Sequence, residues 1–128
     1  MKKFIYIFFL LFLFFSFKVY ARWTEVSSDK ETTYYIDMTT LEITSMTNTV
    51  SFWNFEIYTT ELLTGTGVKS SINNMIFDCD TSKYKYLNSF YFSDQTAKNL
   101  YDYFLIKDEK WLDIIENSHF DIIKNKIC

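Results

Sequence analysis

Two cysteines carry the most definite chemistry in the sequence. Cys79 and Cys128 are the only cysteines among its 128 residues. With a single histidine they cannot complete the four ligands of a tetrahedral zinc site. If the chain is exported, an even cysteine pair predicts a disulfide between them. Closing a loop of about 50 residues would stabilise the fold by roughly 4 kcal/mol in the loop-entropy model. Free thiols and an intermolecular bridge are the alternatives.

The only histidine, His119, could act as a general base only beside a nucleophile or an orienting carboxylate. Its neighbours Ser118 and Asp121 fit better as the start of a helix, because a serine N-cap with an acidic residue three positions on satisfies free amide groups of the first turn. We therefore predict no catalytic residue and no enzyme. A small hydrolase that uses His119 is the alternative.

Two acidic residues, Asp78 and Asp80, flank Cys79 and could bind a cation or form a carboxylate pair. A solvated turn explains them better. The sequence has no Gly-rich phosphate loop, zinc-ligand spacing or nucleophile elbow, so it predicts no cofactor, no metal site and no small-molecule substrate. Three tyrosines could form a binding surface if they are exposed: Tyr86, Tyr91 and Tyr103.

The N-terminus has the parts of a secretory signal peptide. Lys2 and Lys3 precede an apolar run at residues 4–17, which is shorter than the ~18 apolar residues of a membrane-spanning helix. Val19 and Ala21 place small residues where signal peptidase requires them. We predict cleavage after Ala21, and an uncleaved anchor is the alternative.

This assignment divides the chain into a signal peptide, 1–21, and one domain, 22–128, whose length suits a single core. The domain has no cysteine near its start, where a bacterial lipoprotein carries its lipid. We therefore expect an exported protein, in the periplasm or at the outer surface, that is not lipid-anchored through an N-terminal cysteine.

The balance of charges disfavours one class of partner. The chain has 13 basic and 16 acidic side chains, and three lysines would leave with the signal peptide, so that the domain has six more acidic than basic side chains. Phosphate backbones and anionic lipids bind basic surfaces. We therefore expect the protein to bind neither nucleic acid nor an anionic membrane surface.

Most of the predicted domain has the pattern of β-strands. Alternating β-branched and aromatic residues indicate strands at 22–27, 32–37, 41–43, 49–59, 69–79 and 84–92. Turn residues separate them at 28–30, 46–48 and 80–83, and Gly65 and Gly67 mark a loop. Because every connection is short, the strands should pair antiparallel. The strand at 49–59 is apolar on both sides at its start, so we place it centrally in the sheet.

The last third of the chain changes period. Helical spacing at Ala97, Leu100, Tyr101 and Phe104 predicts a helix, capped by Ser93 or Asp94. Residues 111–115 are ambiguous. A second helix begins at Ser118 and presents an apolar stripe that ends at Cys128, so the disulfide would join this C-terminal helix to the sheet.

Several short motifs occur in a characteristic order. They are Trp23, Tyr34-Tyr35-Ile36-Asp37, Trp53, Ser70-Ser71, Phe77-Asp78-Cys79, Trp111 with Ile114 and Ser118, and the terminal Cys128. Each motif is short, but together they resemble the surface-adhesin protein E family of Gram-negative bacteria over nearly the whole predicted domain.

The resemblance implies an α+β domain, in which an antiparallel sheet of about five to six strands carries a C-terminal helix tied to it by the Cys79–Cys128 disulfide. It also implies a non-enzymatic surface protein that binds host matrix proteins such as vitronectin or laminin. A periplasmic accessory or structural module without a host ligand is the alternative, because no lipid-bearing cysteine follows Ala21.

Overall fold

The computed structural model of the protein describes residues 2–14, 23–59, 67–105 and 110–128. An N-terminal helix, α1, spans Lys2–Phe14. Of the helices in the described ranges, none is long and apolar enough to cross a membrane. The predicted cleavage point after Ala21 lies outside the described residues, so the signal peptide stays a prediction.

The domain is an antiparallel sheet with one C-terminal helix, as predicted. Its strands are β1 (Trp23–Ser28), β2 (Thr32–Asp37), β3 (Glu42–Thr44), β4 (Thr49–Tyr58), β5 (Ser70–Asp78), β6 (Lys83–Phe92), β7 (Leu100–Leu105) and β8 (Leu112–Asp113). Helix α2 spans His119–Ile127. Six strands form the continuous order β1-β2-β4-β5-β6-β7, while the short β3 pairs with β4 and the short β8 with β6. The long strand β4 is central, which confirms its predicted position.

The two faces of the sheet follow from the alternation of side chains along each strand. On β4, Phe52 and Glu56 point to the face that α2 covers in part, which we call the inner face, while Trp53 and Phe55 point to the opposite, outer face. The register carries these faces across the sheet, since Phe52 lies opposite Met75 and Trp53 opposite Asn74.

Helix α2 begins as the sequence predicts. Ser118 is its N-cap, and the Ser118 hydroxyl accepts a hydrogen bond from the backbone N–H of Asp121. The apolar stripe of the helix buries Ile123 and Ile127 against the inner face. The core therefore lies between α2 and one half of the sheet, with these buried members: Val26, Ile36, Val50, Phe52, Met75, Phe77, Ile123 and Ile127.

A disulfide closes the core. Cys79 directly follows β5 and bonds to Cys128 at the end of α2, with their Cα atoms 5.7 Å apart. The predicted pairing is confirmed, and so is its consequence that the end of the helix is fixed to the sheet.

The helix predicted around Ala97 and Phe104 is wrong, because residues 100–105 form strand β7. The preceding loop is built around Asp94, whose carboxylate accepts hydrogen bonds from the backbone N–H groups of Lys98 and Asn99. Ala97 has a left-handed backbone (φ 55°), which an α-helix does not allow. Residues 100–105 pair with the edge of β6, and this pairing outweighs a helical spacing that rests on only four side chains.

Candidate functional site

The inner face is apolar along one half and polar along the other. Beyond Phe52 the inner residues of β4 change to Asn54, Glu56 and Tyr58. These residues lie outside the core that α2 covers. Nine residues line an open pocket of about 360 Å³ there, which we call the polar pocket: Thr32, Tyr34, Glu56, Tyr58, Asn73, Tyr86, Ser89, Tyr91 and Phe120.

A row of four neighbouring strands builds the floor of the polar pocket. Tyr34 on β2 lies opposite Glu56 on β4, Glu56 lies opposite Ser71 on β5, and Ser71 lies opposite Tyr91 on β6. A β-bulge between Asn74 and Met75 shifts the register of the β5–β6 pair next to this row. Because the row is fixed by backbone pairing, the carboxyl group and the tyrosine rings keep their places without help from a loop.

The carboxyl group of Glu56 is the most unusual feature of the pocket, because the residue is only 7% exposed. Its Oε2 atom accepts hydrogen bonds from the Tyr58 hydroxyl (3.1 Å), the Ser71 hydroxyl (3.0 Å) and the Asn73 amide (3.1 Å). All three donors are neutral. None of these three bonds reaches the other carboxyl oxygen, Oε1.

Burial raises the pKa of Glu56 above that of a solvated glutamate, and hydrogen bonds from four neighbouring side chains oppose this rise: Ser71, Tyr58, Asn73 and Asn54. Burying an ionised carboxylate is unfavourable unless a cation or enough hydrogen bonds compensate for its lost hydration. Here the only compensation comes from neutral donors.

The tyrosines around Glu56 stay neutral through the physiological range. Burial raises the pKa of each one above its usual value, and the charge of Glu56 adds to the effect: Tyr34, Tyr58, Tyr84, Tyr86 and Tyr91. Phe120 of α2 joins the rings, with edge-on contacts to Tyr34 (6.1 Å between centroids) and Tyr86 (6.3 Å). The pocket thus combines one buried acid with neutral aromatic walls.

Asn54 lies beside the carboxyl group and is fully buried. Its side-chain oxygen accepts a hydrogen bond from Asn73 (2.8 Å). Its Nδ2 atom makes no close, well-aligned hydrogen bond to the described residues, but the side chain is near enough to Glu56 to lower the pKa of that carboxyl group.

The sequence analysis missed Glu56, although the sequence contained a signal. Glu56 shares its face of the most strongly patterned strand with Phe52 and Tyr58, which is a signal that this glutamate is buried beside apolar residues. Its partners could not be found, because Ser71, Asn73 and Tyr86 reach it only through strand pairing across the sheet.

The structure places His119 beside residues other than its sequence neighbours. Its Nε2 atom lies 2.6 Å from the Asp29 carboxylate and its Nδ1 atom 2.6 Å from the Ser27 hydroxyl, while its ring stacks on Tyr34 at 4.4 Å. Since a carboxylate only accepts, Nε2 donates to Asp29, and Nδ1 of a neutral ring accepts from Ser27.

Asp29 is itself held by the β1–β2 turn. Its Oδ1 atom accepts from the backbone N–H groups of Glu31 and Thr32 (both 2.8 Å). The hydrogen bond from Thr32 and then that from His119 lower the pKa of Asp29 to about 2. Serine, histidine and aspartate are linked here in the order of a hydrolytic triad, but the two ring nitrogens are exchanged, since in the triad Nε2 faces the serine and Nδ1 the aspartate. Their positions on a strand, a turn and a helix also explain them as a link that docks α2 onto the β1–β2 hairpin.

Asp78 is the last residue of β5, and Asp80 lies in the turn that follows it. The Asp78 carboxylate accepts hydrogen bonds from the backbone N–H groups of Asp80 and Thr81. The bond from Thr81 is the main reason that the pKa of Asp78 is lowered. Asp80 accepts from Asn48 (2.7 Å). Within the described ranges, no group of three or more His, Cys, Asp or Glu side chains could hold a metal ion.

The outer face offers a second surface with functional potential. It carries six aromatic side chains from five strands: Trp23, Tyr35, Trp53, Phe55, Phe90 and Tyr103. Contacts run along it from Trp23 to Phe55 (5.4 Å between centroids) and from Phe90 to Tyr103 (4.6 Å). Of the three tyrosines considered for a binding surface, Tyr103 lies here and is 46% exposed, whereas Tyr86 and Tyr91 line the polar pocket.

Fold and family agree on the class of protein. The family model described as "Surface-adhesin protein E" matches residues 23–128, which is nearly all of the sheet-and-helix domain. The chain therefore belongs to the surface-adhesin protein E family.

A solved structure supports the fold. The structure of Haemophilus influenzae protein E matches this chain with a TM-score of 0.57 and 14% sequence identity, and the match covers 87% of this chain and 86% of that one. At this identity the likeness concerns the fold alone. No curated protein matches the sequence.

Proposed function

We propose that this protein is a non-enzymatic surface adhesin that binds a host extracellular-matrix protein of the vitronectin or laminin type. The observation that carries this proposal is the family match over residues 23–128. The family is one of surface adhesins and not of enzymes, and it implies an exported or surface protein. The matrix ligand is the part that requires its own test.

The outer face is the surface that best suits a macromolecular partner. Aromatic side chains that are rigid and partly exposed dominate the energy of many protein interfaces. On this face Trp53 and Phe90 (6.2 Å) form a neighbouring pair, with Tyr103 beyond them towards β7. Helix α2 packs on the inner face, so it leaves the outer face free.

Solid-phase binding to immobilised vitronectin and laminin tests the proposal. We expect saturable binding, which Tyr103→Ala weakens about tenfold, since removal of an exposed aromatic anchor has effects of this order. Ile122→Ala is the matched control, because Ile122 is similarly exposed (39%) but lies on α2, across the sheet. The absence of saturable binding to any matrix protein would count against adhesion.

Location separates the adhesin from the alternative, a periplasmic accessory module. We propose that residues 1–21 direct export and are removed after Ala21, which N-terminal sequencing of the exported protein tests. Protease treatment of intact cells then decides the side of the outer membrane. An adhesin is degraded by the added protease, whereas a periplasmic protein is protected.

A further inference from the structure

The polar pocket contains a buried acid that lacks a countercharge. Within the described residues, the hydrogen bonds to Glu56 come from neutral groups on β4 and β5. No described lysine or arginine is among its partners. Structural carboxylates at this depth are usually paired with a cation or coordinate a metal.

The open oxygen of Glu56 belongs to the pocket. Within the described residues, the hydrogen bonds from Tyr58, Ser71 and Asn73 all end on Oε2 and leave Oε1 to the side. Glu56 is one of the residues that line the pocket. A ligand that enters can approach Oε1 without displacing these three hydrogen bonds.

The walls of the pocket favour the same kind of ligand. Five of the nine lining residues are aromatic: Tyr34, Tyr58, Tyr86, Tyr91 and Phe120. The faces of aromatic rings attract cations through their quadrupole, and this attraction grows when the cation loses water. A carboxylate on the floor and neutral rings on the walls therefore act together on a positive charge.

We propose that the polar pocket binds an alkylammonium cation, with Glu56 Oε1 accepting the hydrogen bond from the ammonium group and the aromatic side chains surrounding the alkyl chain. The cavity of about 360 Å³ is within the size range of small-molecule sites and holds an amine with a short chain. Binding converts a buried acid without a partner into a buried ion pair.

A neutral ligand such as a sugar would use the hydroxyl and amide groups of the pocket but leave the carboxylate without a countercharge, so the geometry favours the cation. The pocket lies on the opposite side of the sheet from the outer face. Its function is therefore independent of matrix binding, and either can fail without the other.

Isothermal titration of the purified, disulfide-bonded protein tests the proposal with four probes. These are n-butylammonium, its neutral counterpart n-butanol, Nα-acetyl-lysine amide and glucose. Glu56→Gln removes the charge and keeps the shape of the side chain, while Glu25→Gln is the matched control at an exposed position of β1. Chemical shifts of the pocket tyrosines report where a probe binds.

We expect n-butylammonium to bind at least about tenfold more tightly than n-butanol, and Glu56→Gln to remove this preference, because a charged hydrogen bond and the ring contacts both require the cation. Glu25→Gln should bind like the unmodified protein. Binding of Nα-acetyl-lysine amide as well would assign the ligand to a lysine side chain of a protein, and binding of n-butylammonium alone would assign it to a free amine.

Three results would overturn the proposal. The first is the absence of saturable binding for both amines. The second is binding of n-butanol or glucose as tightly as n-butylammonium. The third is an unchanged affinity for the amine in Glu56→Gln, whose fold can be confirmed by its unfolding transition.

Discussion

The two halves of the inner face show how one sheet can serve two purposes. In the apolar half, Phe52, Met75 and Phe77 are fully buried beneath Ile123 and Ile127 of α2. In the polar half, the same strands place Glu56 and its hydrogen-bonding partners around an open pocket. The change occurs within two residues of β4, between Phe52 and Asn54.

The difference follows from the length and attachment of α2. The helix has nine residues and is about 14 Å long at 1.5 Å per residue, so it covers only part of the sheet. The disulfide at Cys128 fixes which part, because it ties the C-terminal end of the helix to the end of β5. The apolar half stabilises the fold, and the polar half is left available for a ligand.

The largest effect should come from the apolar half. Phe77 is fully buried and contacts the rings of Phe52 (5.0 Å between centroids) and Phe120 (5.9 Å). Phe77→Ala should lower the free energy of unfolding by about 3–5 kcal/mol, because it removes buried apolar surface and leaves a cavity. Urea unfolding measures the change, and a loss below about 1 kcal/mol would show that α2 does not cover a true core.

Removing the disulfide tests what fixes the boundary between the halves. The pair Cys79→Ser and Cys128→Ser should lower the free energy of unfolding by about 2–5 kcal/mol, since the open chain gains entropy in the unfolded state. Hydrogen exchange should show the loss of protection first in α2. If exchange quickened uniformly over the sheet instead, the bond would not be the specific anchor of the helix.

In the polar half, Glu56→Gln should raise the free energy of unfolding, in contrast to the two changes above, which lower it. The three donors all reach Oε2, so the side-chain oxygen of glutamine can keep them while the new amide faces the pocket. A raised carboxyl pKa means that the folded state keeps a proton that the unfolded state releases. Stability is therefore lost as the pH rises above the ordinary glutamate pKa, up to the raised folded value.

Urea unfolding between pH 4 and pH 8 checks this prediction. We expect Glu56→Gln to be more stable than the unmodified protein at pH 8 by about 1–3 kcal/mol. We also expect its free energy of unfolding to fall much less between pH 4 and pH 8. The titrating groups that face Glu56 are tyrosines with raised pKa values, so they do not contribute in this window. An unchanged pH profile would contradict the assignment of the decline to Glu56.

The smallest effect concerns the link between α2 and the hairpin beside the pocket. His119→Ala should raise the pKa of Asp29 from about 2 only part of the way to the ordinary aspartate value of 3.8, because the hydrogen bonds from Thr32 and Glu31 remain. A depressed carboxyl pKa contributes stability above the unfolded value, which is lost as the pH falls towards 2. An NMR titration of Asp29 measures this change in pKa. An unchanged titration midpoint would show that His119 does not interact with Asp29 in solution.

The apolar half could be read from the sequence and the polar half could not. The alternation in β4 and the stripe that ends at Cys128 are local signals, and they predicted the central strand and the C-terminal helix. The even pair of cysteines in a chain expected to be exported predicted the disulfide. The pocket depends on Glu56, Ser71 and Tyr91 meeting across three strands, which requires the register. Residues 97–104 show a different error. Their local helical spacing predicted a helix, but pairing with β6 makes residues 100–105 a strand.

The most direct test of the division is urea unfolding at pH 8 of the oxidised protein, Phe77→Ala and Glu56→Gln, measured side by side. If the apolar half stabilises the fold and the polar half is held open against stability, the midpoint falls for Phe77→Ala and rises for Glu56→Gln. A fall in both midpoints would contradict the account, because Glu56 would then be a structural group and the two halves would serve the same purpose.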